Sequence, residues 1–210
     1  MMHDSFLQIY SRSFFKPWQS FSELLHHPKS LAFGFYAVFI QAILYTCVYG
    51  FLILGGGQAF KPWLNIPVDV YYQYNVFFCG PTMFLGWILA TGLIHVLLRT
   101  QTQQGQFEQL FCLLGFGISI ASWATGIHDF CSSFLGAIHI IDQRSYEIQL
   151  NSPGIWRNLL WFQMLVYLLW FIFLFTTAVR IVYQVNRFRA LAFGVLAFLV
   201  YQLFFLIFNR

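Results

Sequence analysis

Five apolar stretches limit what this chain can fold into: Leu31–Leu54, Val76–Leu98, Phe107–Ile127, Ile155–Val179 and Ala190–Phe208, each with at most one Asp, Glu, Lys or Arg. A helix needs about 20 such residues to cross the hydrocarbon of a bilayer, where it must satisfy its backbone groups internally. Five transmembrane helices are expected, in an all-α polytopic bundle. Only 9% of the 210 residues are charged, against about a quarter in a water-soluble domain. That excludes a soluble enzyme and a disordered or collagen-like chain. The net charge of +4 is too small and too scattered for a nucleic-acid surface. The expected partners are membrane lipids and other membrane-protein subunits.

Residues 1–30 form a segment of different character from the five-span domain at 31–210. They lack the charged start, continuous apolar core and small-residue cleavage site of a signal peptide. Phe6, Leu7, Tyr10, Phe14, Phe15, Trp18, Phe21, Leu24 and Leu25 recur at helical spacing between polar residues. This predicts an amphipathic interfacial helix broken at Pro17, on the membrane surface or packed on the ends of the spans. Arg12, Lys16, Lys29, Arg99, Arg180, Arg187 and Arg189 fall on one side of a five-span topology, and Lys61, Arg144, Arg157 and Arg210 on the other. The positive-inside rule puts the N-terminus in the cytosol and the C-terminus across the membrane.

The third span is rich in small residues (Gly115, Gly117, Ser119, Ala121, Ser122, Ala124, Thr125 and Gly126), so it should be central. The fourth is bulky, with Trp156, Trp161, Phe162, Trp170 and Phe173, and should face lipid or a partner. Gly86 and Ala90 offer a second close-packing face on span two. Asp129–Ile141 is too short to span and too apolar for a loop. It reads as an extension of span three or an outer interfacial helix, ending in a polar turn at Asp142–Arg144.

Chemistry-bearing residues are few. His95 and His128 are the candidates for haem, but they fall at opposite ends of their spans. His128, Asp129, Cys131 and His139 could gather as a redox or metal cluster, although their spacing matches no established zinc pattern. The simpler reading is a helix cap with interfacial histidines, and no metal and no cofactor is expected. Cys79 and Cys131 both fall near the outer face, where a disulfide is geometrically conceivable. No catalytic or phosphate-binding motif is present. Gln41, Gln163 and Gln202 are the deepest strongly polar groups and read as interhelical hydrogen-bonders.

The segment Lys16–Pro28 (KPWQSFSELLHHP) and the run His95–Phe116 (HVLLRTQTQQGQFEQLFCLLGF) resemble the Yip domain family, five-span membrane proteins whose eukaryotic members interact with Ypt/Rab GTPases. Gly105, Phe107, Glu108 and Gln109 fill the positions that open span three in its bacterial branch. Val179–Leu191 is similar to the family's connection between the last two spans. No counterpart of the eukaryotic Asp-Leu-Tyr-Gly-Pro motif is present. The resemblance implies five spans, a cytosolic N-terminus, a bacterial inner-membrane location and no enzyme activity. The expected role is a scaffold, anchor or accessory subunit. Gly105, Phe107, Glu108 and Gln109 would form a partner-binding or structural turn, and Arg180, Arg187 and Arg189 would meet lipid headgroups or set topology. A quinone- or haem-associated redox subunit is the rival reading, and a small-solute or lipid transporter the third.

Overall fold

A computed structural model describes residues 5–59, 64–99 and 106–209, and every regular element among them is a helix. Two short helices, α1 (Phe6–Phe15) and α2 (Pro17–Leu25), precede α3 (Ser30–Leu54), α4 (Tyr71–Leu98) and α5 (Gln106–Ala137). A short α6 (Gln143–Asn151) leads to α7 (Ile155–Tyr183) and α8 (Arg187–Asn209). The helices α3, α4, α5, α7 and α8 are long and apolar enough to cross a membrane. They close a ring in the order α3, α4, α8, α7, α5, with α4 and α5 also touching across it. Both α1 and α2 pack on α5, and α2 also packs on α7; α6 packs on α5 and α7 at the opposite end.

Lipid tails are as apolar as the side chains, so close packing rather than burial holds such a ring together. The small residues of α5 make that packing possible. Its most apolar stretch is 72% buried, against 22–44% in the other four spanning helices. A Cβ on Gly34 would stand 2.7 Å from the Cα of Cys112, and one on Gly117 3.0 Å from the Phe175 ring. Trp87 lies flat on Phe111, with ring centroids 3.6 Å apart, and donates its indole proton to the Phe111 carbonyl at 2.9 Å. Gly86 and Ala90 do face a neighbour, since a Cβ on Gly86 would meet the Tyr201 carbonyl of α8 at 3.1 Å. The bulky α7 divides in two. Trp156, Trp161 and Phe162 of its first half are exposed, whereas Phe171, Phe175 and Val179 of its second are buried.

Three expectations need correction. The helix of the third span does not end near Ile127: of the two readings of Asp129–Ile141 the extension of span three holds, and α5 continues to Ala137, with Ser133 and Gly136 still facing the bundle. It stops where His139 adopts φ 58° and the Ile140 amide bonds back to the Leu135 carbonyl, a left-handed helix end. The polar stretch from Asp142 is a helix start, not a turn, with Asp142 Oδ1 accepting from the Ser145 amide at 2.6 Å. All four cysteines are free. Cys79 is buried in the core and Cys131 faces outward, so the two do not meet.

Candidate functional site

Pro17 has no amide proton and serves as the first residue of α2, so the chain turns after α1 without losing a hydrogen bond. This lets two short helices cover one end of the bundle. On α1, Phe6 and Tyr10 lie one turn apart and face inward. The Phe6 ring packs on Phe33 at 5.5 Å and Phe116 at 5.9 Å. Tyr10 Oη lies 2.7 Å from Ser119 Oγ and accepts the Trp123 indole proton at 2.8 Å. Arg12 pairs with Glu23 at 2.7 Å and ties α1 to α2. On α2, Trp18 carries the Arg180 guanidinium over its ring at 4.9 Å.

The outer surface of this end is basic and aromatic. Trp18, Ser22, His26, Arg180 and Gln184 line an open cavity of about 430 Å³. Phe15 and Phe188 are 88% and 87% exposed, and Lys16, Arg187 and Arg189 are exposed around them. The three-residue link from α7 to α8 begins with Gln184 at φ 52°. It ends with the Asn186 carboxamide oxygen accepting from the Arg189 amide at 2.9 Å. Of the expected turn, Gly105 lies outside the described residues. Phe107, Glu108 and Gln109 open α5 at this same end, with Phe107 and Glu108 exposed and Gln109 half-buried. The Phe107 ring packs on His95 at 5.6 Å, and His95 Nδ1 lies 2.9 Å from the Tyr183 hydroxyl. The fold therefore brings together α1–α2, the start of α5 and the α7–α8 link.

The remaining candidates sit at the other end. His128 bridges Asp129 at 3.1 Å and the Tyr146 hydroxyl of α6 at 2.7 Å. His95 is level with Phe107, and His128 lies about 30 Å farther along α5, so the two histidines cannot share one iron. His139 is beyond the end of α5 and exposed, and Cys131 faces outward. Among the described residues, no group of three His, Cys, Asp or Glu could hold a metal ion. Glu147 of α6 accepts from the Gln58 amide at 3.0 Å and from Gln143 Nε2 at 3.2 Å. Burial raises its carboxyl pKa above the usual value, and these bonds offset the shift only partly. Asp142 is shifted the other way by the Ser145 amide.

Residues 11–209 match the Yip1 domain. The chain belongs to the Yip1 domain family. The Yip1 domain begins at Ser11, within α1, and ends at Asn209, so it takes in the second half of α1, all of α2 and every spanning helix. Yip1 domain proteins are membrane proteins that interact with other proteins, and theirs is not a known enzyme family. No curated protein and no solved structure matches the chain. Two features of this Yip1 family protein escaped the sequence reading. The bond from Tyr10 to Ser119 and Trp123 joins residues more than a hundred positions apart, with no local signal. Glu147 sits in a polar segment whose one helix signal is the Asp142 cap.

Proposed function

We propose that this protein is a non-enzymatic scaffold, anchor or accessory subunit of a membrane assembly, and that it engages its partners through the α1–α2 end. The observation that carries the reading is the near-complete exposure of Phe15 and of Phe188, the first followed by exposed Lys16 and the second flanked by exposed Arg187 and Arg189. Large exposed apolar rings beside exposed cations suit the headgroup region, or a partner segment that is apolar and acidic. The seven basic residues at this end support a cytosolic α1–α2 end and a C-terminus across the membrane. The bacterial-type opening of span three supports an inner-membrane location.

Two experiments test this. Labelling of Ser22→Cys and Asn151→Cys, in a chain whose native cysteines are replaced, reads orientation from opposite ends. The reading fails if Ser22→Cys reacts with an impermeant reagent from the periplasm. Co-purification from native membranes in mild detergent should lose its protein partners in the Phe15→Ser/Phe188→Ser/Arg187→Gln variant, yet keep them in Asn151→Ala at the far end. A reduced haem band in the purified protein, lost in His95→Ala or His128→Ala, would replace the scaffold with the redox reading.

A further inference from the structure

At the α1–α2 end, α2 and α7 leave a cleft between them. Trp18, Ser22, Leu25 and His26 follow one another at helical spacing along one face of α2 and form one wall. Arg180, Ile181, Gln184 and Val185 form the other, from the last turn of α7 and the link after it. The open space of about 430 Å³ falls within the roughly 300–1,000 Å³ of ligand sites. Its polar groups are accessible: His26 and Gln184 are exposed, and Arg180 is half-buried.

Arg180 brings a full charge into this cleft. Its guanidinium stands 4.9 Å from the centre of the Trp18 ring, which attracts the cation through its electron-rich face but offers the N–H donors no lone pair. Among the described residues, Arg180 makes no hydrogen bond through its side chain and no ion pair. Glu23 of α2 is taken by Arg12 at 2.7 Å, and Glu108, exposed at the start of α5, is not part of the cleft wall. The C-terminal ends of α2 and α7 add partial negative charge. Their carbonyls are in part already used, since the His26, His27 and Gln184 amides donate to Glu23, Leu24 and Arg180. Lys16, Arg187 and Arg189, all exposed at this end, shift the balance further toward an anion. A planar guanidinium fork beside a carboxamide suits the oxygens of a phosphate.

The face of α7 that carries Arg180 continues as an apolar stripe. Phe173, Leu169 and Phe162 lie 7, 11 and 18 residues before Arg180, the spacing of one face of an α-helix, and all three are exposed. Leu169 is about 16 Å from Arg180 along the axis, the depth of one leaflet of a roughly 30 Å hydrocarbon layer. A phosphate on Arg180 would therefore hang its acyl chains along exposed side chains, with the Trp18 ring at headgroup level.

We propose that the α2–α7 cleft binds the headgroup of an anionic phospholipid, with its phosphate on the Arg180 guanidinium and its acyl chains on the stripe of Phe173, Leu169 and Phe162. A headgroup without an ammonium is selected, because the exposed charges around the cleft are cations. The inference rests on the reading of the α1–α2 end as the surface that engages partners, and it makes one bound lipid part of that surface.

The full chain in mild detergent is titrated with dioleoyl phosphatidylglycerol and, separately, with dioleoyl phosphatidylcholine, and bound lipid is counted by native mass spectrometry. Phosphatidylglycerol should bind about tenfold more tightly, the discrimination expected where a tethered ammonium opposes charge-assisted hydrogen bonds. Arg180→Gln should bring the two lipids level, whereas Arg189→Gln, which removes an exposed cation outside the cleft, should leave the preference in place. Because Arg180→Gln also removes the stack of α7 on Trp18, Gln184→Glu is measured alongside. It puts a carboxylate at the rim and keeps the stack, so it should abolish the preference while amide exchange over residues 17–25 stays unchanged. Equimolar inorganic phosphate, which has no acyl chains, should not displace the lipid; displacement overturns the proposal in favour of a soluble phosphate. Equal affinity for the two lipids in the unmodified chain, a preference that survives Gln184→Glu, or an equal loss in Arg189→Gln also overturns it. The chain is measured without its partners, so such a failure leaves the partner-binding reading standing, and a failure of that reading leaves the lipid preference to be measured.

Discussion

The two ends of the bundle are closed by different chemistry. At the α1–α2 end the closing contacts are aromatic rings and neutral hydrogen bonds, with Phe6 on Phe33 and Phe116 and with Tyr10 on Ser119 and Trp123. One ion pair, Arg12–Glu23, lies within the cap itself. At the α6 end the contacts are made by ionisable groups: Asp129 and Tyr146 on His128, and Gln58 and Gln143 on Glu147. The first end can thus leave its cations outside for a partner or a headgroup, because none is needed to fix α1 to α5. The second end uses its charges internally and responds to pH.

The largest effect expected from this contrast lies in the glycines beneath each cap. A Cβ on Gly34 meets main-chain atoms of Cys112, which cannot move without separating α3 from α5. Gly34→Leu should therefore cost at least the upper part of the roughly 1–3 kcal/mol range of overpacked cores, and prevent recovery of a monodisperse protein in detergent. At the α6 end a Cβ on Gly136 meets the Gln143 side chain, whose amide can rotate away while its Cβ, 3.1 Å off, need give by only a few tenths of an ångström. Gly136→Ala should cost only about 1 kcal/mol, the worth of the bond from Gln143 to Glu147 that it disturbs. Thermal stability followed by fluorescence-detected gel filtration compares the two. Equal losses would mean that backbone contact is not what distinguishes these two glycines.

A smaller effect is expected at the neutral clasp. Tyr10→Phe keeps the ring against Phe116 but deprives Ser119 and Trp123 of a buried partner, at about 1–3 kcal/mol. The loss should be local to α1. Amide exchange over residues 6–15 should accelerate while α7 and α8 stay protected. Acceleration throughout the bundle would show that α1 is an integral part of the core rather than a cap on it.

How much of this was legible in the sequence differs between the same two ends. The five spans are written in composition, since hydrocarbon admits so few alternatives, and five helices long and apolar enough to cross a membrane are what forms. The stripe from Phe6 to Leu25 announced α1 and α2, and Pro17 their division. A stripe cannot say whether it faces lipid or protein, because both are apolar, and so the docking of Tyr10 on α5 was hidden. At the far end, Asp129 left two readings of Asp129–Ile141 open, an extension of span three or a separate interfacial helix, and the extension is the one that holds. The Asp129 carboxylate is satisfied by the neighbouring His128, and α5 runs on. α6 is polar and held by bonds to Gln58 and His128 from distant segments, which no local pattern encodes. Gln41 was read as an interhelical hydrogen-bonder by the rule that Gln202 obeys, and geometry alone separates them.

The smallest expected effect is the most specific to the contrast, because it has a sign. Burial raises the Glu147 carboxyl above its ordinary value of 4.5, so between that value and its folded pKa the folded protein holds a proton the unfolded chain has released. Stability at the α6 end is then lost as pH rises through this window and regained on acidification from neutral pH to about 4.5. Asp142 is opposite. Its pKa is depressed below the ordinary 3.8 by the Ser145 amide, so its contribution is present above 3.8 and lost as pH falls through the folded value. Protection factors for α6 amides, corrected for intrinsic exchange, should rise from neutral pH toward 4.5 and fall again below 3.8, by no more than about tenfold per pH unit. Glu147→Gln should flatten the upper limb and Asp142→Asn the lower. Over the same range α1 should show no trend on acidification from neutral pH to about 4.5, since its contacts to α5 among the described residues are rings and neutral hydrogen bonds. A slope in α1 matching that of α6 would mean that the two ends open together, and that the neutral clasp is not independent of the charged one.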